Sequence, residues 1–191
     1  MSDLTAILKD TIAGATETLR SLAKLSAPLQ KAADLIDQCL RGGNKMLVCG
    51  NGGSAADAAH FATEFVVRFA KDRRAYPAIA LAGDGGLLTA AGNDYGFDEI
   101  FARQVAAFGS EGDLLICLTT SGKSKNVQRA LEEAKKRKLK TIALLGRGGG
   151  SIVGHADVDL LVESDSTARI QEAHKLLLHV LCEAMESRLP K

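Results

Sequence analysis

Five short, mostly apolar segments recur along this chain and are separated mainly by stretches long enough for helices. They are residues 45–49, 78–81, 114–118, 141–145 and 158–162. Strands that are continuously apolar are buried on both faces, which is typical of parallel sheets covered by helices. The pattern therefore predicts an α/β fold in which a doubly wound, five-stranded parallel sheet is flanked by helices.

Helices are predicted on both sides of these strands. Two amphipathic helices lead the chain. The first covers residues 4–25, and after a break at residues 26–28 the second runs to about residue 40. The later helices are expected at residues 53–70, between a glycine turn at 83–86 and about residue 108, at 125–138, and at 167–188. We expect a single domain over residues 1–191, with the helices of residues 1–41 involved in oligomer packing.

The composition argues against several classes of protein. There are 24 Lys and Arg against 23 Asp and Glu, so the near-neutral chain lacks the basic footprint of a nucleic-acid-binding protein. No apolar run is long enough to cross a membrane, and the N-terminus has no signal-peptide pattern. The four cysteines, which form no CxxC motif, are Cys39, Cys49, Cys117 and Cys182. We expect a cytoplasmic, reduced protein with no nucleic-acid or membrane partner.

The most informative motif runs from Cys49 to Glu64. Its Gly-Asn-Gly-Gly-Ser turn, residues 50–54, connects a strand to an alanine-rich helix, whose free N–H groups favour a phosphate-sized anion. A dinucleotide fingerprint requires G-x-G-x-x-G, but Ala55 stands where the third glycine belongs. We therefore favour a turn in which backbone N–H groups and Asn51 face a sugar phosphate.

A second candidate phosphate loop, Thr119-Thr120-Ser121-Gly122-Lys123-Ser124, follows the third strand and opens a helix. Its hydroxyl groups and the helix N-terminus suit a phosphate monoester, although an ordinary N-cap of Ser and Thr has a similar sequence. The spacing of a Walker A loop is absent. Ligands of doubly wound folds bind beyond the carboxyl ends of the strands, so residues 50–54, 83–86 and 119–124 should surround one crevice.

Ionisable side chains on two helices are the candidates for chemistry. His60 and Glu64 lie four residues apart on one helical face, which suits a metal half-site, an acid–base pair or a surface salt bridge. Their apolar neighbours indicate a mostly buried helix, and a buried ionisable pair favours a functional role. The last helix carries Gln171, His174 and His179, and helical geometry alone does not choose between the two histidines.

Together these motifs resemble those of the phosphoheptose isomerases (sedoheptulose 7-phosphate isomerases) of the sugar isomerase, or SIS, domain superfamily. The resemblance covers nearly the whole chain. It rests on residues 49–64, residues 92–99 (Gly-Asn-Asp-Tyr-Gly-Phe-Asp-Glu), residues 119–124, residues 169–174 (Arg-Ile-Gln-Glu-Ala-His), and a histidine at position 179. It implies an SIS-type fold and a homotetramer with active sites at subunit contacts.

The resemblance also implies the site residues. One zinc ion per subunit would be held by His60, Glu64, Gln171 and His179. The sugar phosphate would be bound by Asn51, Gly52, Gly53, Ser54, Glu64, Asn93, Asp94, Thr119, Thr120, Ser121, Ser124 and Gln171.

The implied reaction converts sedoheptulose 7-phosphate to D-glycero-D-manno-heptose 7-phosphate through an enediol. It is an early step of heptose biosynthesis and supplies precursors of surface saccharides such as lipopolysaccharide. Glu64 would be the base and His179 the partner acid. Glu64 is then both a metal ligand and a base, and the resemblance leaves open which role dominates.

The chain departs from the family pattern at two places. The family loop usually reads Ser-Thr-Ser-Gly-Asn-Ser, whereas Thr119 and Lys123 replace its first serine and its asparagine here. Ala168 stands where an acidic residue commonly precedes the Arg-Ile-Gln-Glu segment. The second change removes a polar group from the edge of the pocket.

Two other hypotheses remain at this stage. A non-catalytic SIS protein resembling the DnaA initiator-associating protein would share the Ala-Arg-Ile-Gln-Glu segment. Such proteins, however, have lost the glutamate at the position of Glu64 and the histidine at the position of His179. The third hypothesis is isomerisation of another sugar phosphate, such as a pentose phosphate. Enzymes of that type usually carry extra C-terminal domains, which we do not expect here.

Overall fold

All five predicted strands form one parallel sheet. The computed structural model describes residues 3–190. The strands are β1 Met46–Gly50, β2 Ala78–Ala80, β3 Leu114–Thr119, β4 Lys140–Leu145 and β5 Val158–Leu161. Their order in the sheet is β2-β1-β3-β4-β5, and every neighbouring pair is parallel. The predicted fold class is confirmed.

The helices flank this sheet as expected. They are α1 Leu4–Ser21, α2 Ser26–Arg41, α3 Gly53–Val66, α4 Gly85–Tyr95, α5 Ile100–Phe108, α6 Lys125–Lys136 and α7 Thr167–Arg188. None of the helices that the structure describes is long and apolar enough to cross a membrane.

Strand side chains alternate between two helical layers. Met46 and Val48 of β1 face the layer of α2, α3 and α7, whereas Leu47 and Cys49 face the layer of α5 and α6. Successive residues of a strand point to opposite faces, so each strand must be apolar throughout to be covered on both sides. This explains the continuous apolar runs in the sequence.

The functional edge of the sheet is set by a reversal of chain order. After β1 the chain passes through α3 to β2 on one side, and β3 then pairs with β1 on its other side. Gly50 at the end of β1 lies opposite Leu118 near the end of β3. The loops that follow β1 and β3 therefore leave the sheet side by side, at the switch point where doubly wound folds bind ligands.

Two predicted helix boundaries are wrong. The break expected at residues 26–28 lies earlier, in a tight turn at Leu22–Leu25, and Pro28 sits in the first turn of α2, where a missing N–H costs no hydrogen bond. Helix α3 ends at Val66, short of residue 70. Its last turn is closed by the Arg73 guanidinium, which donates to the carbonyl oxygens of Glu64 and Phe65.

The two leading helices differ in how they pack. Helix α2 buries Ala32 and Ile36 in the core of its own chain. Helix α1 also lies against α7, but it leaves a stripe of large apolar side chains 47–78 % exposed, namely Leu4, Ile7, Leu8 and Ile12. The single chain thus buries the apolar face of α2 but leaves much of the apolar face of α1 exposed.

Candidate active site

The loops after β1 and β3 are joined by a reciprocal pair of amide hydrogen bonds. Asn51 Nδ2 donates to Asn126 Oδ1 at 2.9 Å, and Asn126 Nδ2 donates to Asn51 Oδ1 at 2.8 Å. Asn126 is buried in the first turn of α6, so the pair holds the start of α3 against the start of α6. The N-termini of α3 and α6, which the sequence predicts to bind phosphate, therefore lie in one crevice.

The loop of residues 119–124 gathers its hydroxyl groups at the end of β3. Thr119 Oγ1 lies 3.1 Å from Ser124 Oγ and 3.4 Å from Ser121 Oγ. Ser124 is the N-cap residue of α6, yet its side chain makes no capping hydrogen bond. Because the hydroxyl is turned towards the loop instead, the N–H groups of Lys125 and Asn126 at the start of α6 stay available to an anion, whereas the N–H of Val127 donates to Asn126 Oδ1. This favours the phosphate interpretation over an ordinary N-cap.

Gly122 in this loop has no room for a side chain. Its φ is +60°, and a Cβ there would lie 2.0 Å from the carbonyl oxygen of Gly149 in the loop after β4. The N–H of Ile152 also donates to the Gly122 carbonyl at 3.1 Å. The loop after β4 thus supports the back of the phosphate loop, and only glycine allows that approach.

Helices α3 and α7 face each other through a row of polar contacts, which we call the polar ladder. Its members are Gly53, Asp57, His60 and Glu64 on α3, and Gln171, Lys175 and His179 on α7. The members on α7 are spaced by four residues and therefore share one face of the helix.

The ladder makes three contacts along its length. At the phosphate end the amide of Gln171 lies against Gly53, where a Cβ would be only 2.5 Å from Nε2. In the middle, Lys175 Nζ lies 2.7 Å from Asp57 Oδ1. At the far end the ring centroids of His60 and His179 are 5.3 Å apart.

The far end of the ladder brings together three of the residues singled out in the sequence. His60 Nε2 lies 2.7 Å from Glu64 Oε1, and the ring of Phe69 packs 5.8 Å from that of His179. The expectation that His60 and Glu64 are buried is wrong, because their side chains are 42 % and 18 % exposed. They lie along the cleft between α3 and α7, which gives a substrate access to them.

The structure also distinguishes the two histidines of α7. His174 is fully buried on the core side, with Nε2 3.2 Å from the Leu145 carbonyl oxygen, and its Nδ1 has no partner among the described residues. Burial lowers the pKa of His174 to about 4, and the Leu145 carbonyl and the charge of Asp57 offset only part of that effect. His174 is therefore a neutral core residue, and His179 is the one that meets His60.

The donor chemistry of this end fits zinc. Two imidazoles and a carboxylate are ordinary zinc ligands. Among residues 3–190, however, no three His, Cys, Asp or Glu side chains converge closely enough to hold a metal ion. Gln171 and His179 are also two turns apart, roughly 12 Å along α7. Zinc binding by His60, Glu64, Gln171 and His179 therefore requires these side chains to move together from the positions seen here.

Other predicted site residues are less tightly placed. Asn93 and Asp94 are exposed on α4, and the hydrogen bond found for them within residues 3–190 is from Asn93 Nδ2 to Asp94 Oδ1, at 2.8 Å. Ala168 lines an open cleft of about 370 Å³, together with Gly53 and Gln171. No polar side chain is contributed by position 168 in this chain.

Three residues of the site escaped the sequence analysis. Asn126 lies just beyond the phosphate loop and orients Asn51. Asp57 and Lys175 form the middle contact of the ladder. The helical spacing could have pointed to the last two. Lys175 lies four residues from both Gln171 and His179, and Asp57 lies seven residues before Glu64.

Comparison with known proteins identifies the family of this chain. A family model described as the SIS domain matches residues 12–146. A phosphoheptose isomerase from Geobacter sulfurreducens is 50% identical over 190 residues, which cover 99% of this chain and 98% of the relative. The chain belongs to the phosphoheptose isomerase family.

Solved structures of family members have the same fold. The phosphoheptose isomerase of Neisseria gonorrhoeae superposes with a TM-score of 0.92 at 43% identity, covering 97% of this chain and 100% of that one. The enzyme from Francisella tularensis gives a TM-score of 0.93 at 41% identity, with 98% and 100% covered. The SIS-type fold and the family predicted from the motifs are confirmed.

Proposed function

We propose that this chain converts sedoheptulose 7-phosphate to D-glycero-D-manno-heptose 7-phosphate. Its family makes it an enzyme that isomerises a heptose phosphate. The observation that carries the specific reaction is the spacing of the site, because the ladder rises roughly 10 Å from Gly53 to His60. That separation lets a terminal phosphate sit on the loops after β1 and β3 while the other end of the sugar meets His60, Glu64 and His179.

The far end of the cleft supplies the base and the acid that the reaction needs. Glu64 takes a proton from C1 of the ketose and returns one to C2, and an enediol forms in between. His179 donates a proton to the oxygen on C2 and accepts one from the oxygen on C1. Without metal, the imidazole of His60 lies 2.7 Å from the carboxylate of Glu64 and keeps it at this end of the cleft.

Zinc, one ion per subunit, is part of this proposal. His60, Glu64 and His179 would hold it, and the resemblance adds Gln171 as a fourth donor. When bound, the ion would polarise the oxygens on the reacting carbons. Asn93 and Asp94 remain proposed substrate-binding residues on the strength of the resemblance.

A homotetramer is proposed as the working form. The exposed stripe of α1, formed by Leu4, Ile7, Leu8 and Ile12, supports contact with further copies of the chain. We propose the cytoplasm as the compartment, because the four cysteines are widely spaced, form no CxxC motif and are buried as small apolar residues. The product would enter heptose biosynthesis as a precursor of surface saccharides such as lipopolysaccharide.

The hypothesis of a non-catalytic, DnaA initiator-associating type of protein is not favoured. Glu64 and His179 are both present, and the structure places both beside His60. A binding protein has no need for an acid–base pair at the end of a phosphate-binding cleft.

The test is to incubate sedoheptulose 7-phosphate with the purified protein in D₂O and to identify the product by NMR. We expect the aldose 7-phosphate with deuterium at C2, because the enediol is protonated from exchangeable groups. A folded protein that leaves sedoheptulose 7-phosphate unchanged but converts a pentose phosphate would refute the substrate assignment.

A further inference from the structure

Lys175 places a positive charge in the middle of the polar ladder. Its ammonium lies 2.7 Å from a carboxylate oxygen of Asp57, whose side chain is only 8 % exposed, while the lysine side chain is 42 % exposed. An ammonium group has three N–H donors, and the ion pair uses one of them. The other donors are free to meet a ligand in the cleft.

The cavities around the ladder place this ammonium beside both ends of the site. Lys175 lines the cleft of about 370 Å³ that also contains Gly53, Ala168 and Gln171. It also lines the narrow gap beside His60, Glu64 and His179, which is too tight in this structure to admit a water molecule. A molecule that reaches from the phosphate loops to His179 must therefore pass Lys175.

The length of a heptose phosphate matches this arrangement. Six C–C bonds of about 1.5 Å give its carbon chain a reach of at most ~8 Å. The ladder rises roughly 6 Å from Gly53 to Asp57 and roughly 10 Å to His60. With the phosphate at the Gly53 end and the reacting carbons at the His60 end, the middle carbons lie opposite the ion pair.

We propose that Lys175 is a substrate-binding residue whose ammonium donates hydrogen bonds to oxygens in the middle of the sugar chain, and that Asp57 positions it. The inference rests on the heptose 7-phosphate substrate proposed above. It also gives the cleft a polar contact on the helix where Ala168 provides none. Asp57 is a positioning residue because it acts through the lysine.

The test compares four variants with the wild-type protein at one fixed zinc concentration. Lys175→Met removes the charge but keeps the length of the side chain, and Lys175→Arg keeps the charge. Lys136→Met is the matched control, because Lys136 is another helical lysine paired with a carboxylate, Glu133, on the exposed face of α6. The double variant Asp57→Asn/Lys175→Met removes both charges of the ladder's ion pair, so no unpaired carboxylate is left buried.

We expect Lys175→Met to lower kcat/KM for sedoheptulose 7-phosphate roughly 10- to 100-fold, the range for losing a hydrogen bond to a charged group. The double variant should be as impaired as Lys175→Met, Lys175→Arg should recover most of the loss, and Lys136→Met should match the wild type. Binding of inorganic phosphate, measured by calorimetry, should stay within about twofold in all variants, because the phosphate loops are untouched.

Recovery of wild-type kcat/KM in the double variant would overturn the proposal, since Lys175 would then serve only to neutralise Asp57. Wild-type behaviour of Lys175→Met would overturn it as well. The proposed function fails in a different way, namely if the wild-type protein itself does not convert sedoheptulose 7-phosphate.

Discussion

Replacing His174 with glutamine should reduce the loss of folding stability that occurs as the pH falls below neutral. His174 is neutral and fully buried in the folded protein, with a pKa of about 4, against 6.5 when it is unconstrained. Below pH 6.5 the unfolded chain therefore binds a proton that the folded protein excludes. The stability associated with neutral His174 is complete above pH 6.5 and is lost as the pH falls towards 4.

The size of this effect follows from the two pKa values. At about 1.36 kcal/mol per pKa unit, the whole difference is worth about 3 kcal/mol, and most of it is lost between pH 7.5 and pH 4.5. In His174→Gln this part of the pH dependence disappears, while an N–H donor for the Leu145 carbonyl is retained. Any pH-independent cost of the substitution cancels when the two pH values are compared.

The assay is urea unfolding of the wild-type and His174→Gln proteins at a series of pH values, followed by circular dichroism. The account predicts that the fall in unfolding free energy between pH 7.5 and pH 4.5 is smaller in the variant by roughly 2 to 3 kcal/mol. At pH 7.5 the folded variant should still convert substrate, because His174 faces the core. An unchanged pH dependence, or complete loss of turnover in a folded variant, would refute the assignment of His174 as a neutral core residue.

Three further perturbations test other parts of the site. Gly122→Ala should lower kcat/KM at least about tenfold, equivalent to 1.4 kcal/mol, and should weaken inhibition by inorganic phosphate, because its Cβ would collide with the carbonyl of Gly149. Unchanged phosphate inhibition would contradict phosphate binding by the loop of residues 119–124. Leu8→Glu should leave the fold intact, since Leu8 is 57 % exposed in the single chain, but should shift the sedimentation profile to smaller species. An unchanged profile would mean that α1 does not form a subunit interface. Glu64→Gln should abolish isomerisation while phosphate binding measured by calorimetry persists, and an active variant would remove Glu64 from the mechanism.

The sheet could be predicted from the sequence because its strands are locally distinctive. The central strands β1 and β3 are buried on both faces, so their apolar runs can be recognised without knowledge of the rest of the chain. The ends of the helices were less predictable. Helix α3 stops at Val66, and Arg73, seven residues further on, donates to the carbonyls of its last turn. That contact depends on the path of the intervening loop, which no helical pattern reports.

The candidate site was predictable as a set of residues but not as an arrangement. His174 and His179 are both plausible partners for α3 on helical geometry alone. The choice depends on where β4 lies, because the Leu145 carbonyl is the partner of His174. The ion pair of Asp57 and Lys175 requires the register of α3 against α7, which is set by the close approach of Gln171 to Gly53.

The most direct test of the account is turnover of sedoheptulose 7-phosphate by the purified protein, measured with and without added zinc, beside the His179→Ala variant. The account predicts formation of the aldose 7-phosphate by the wild-type protein and its loss in the folded variant, with phosphate binding retained in both. Equal turnover in the two proteins, or none in a folded wild-type protein supplied with zinc, would contradict the claim that the cleft between α3 and α7 is the active site of a heptose phosphate isomerase.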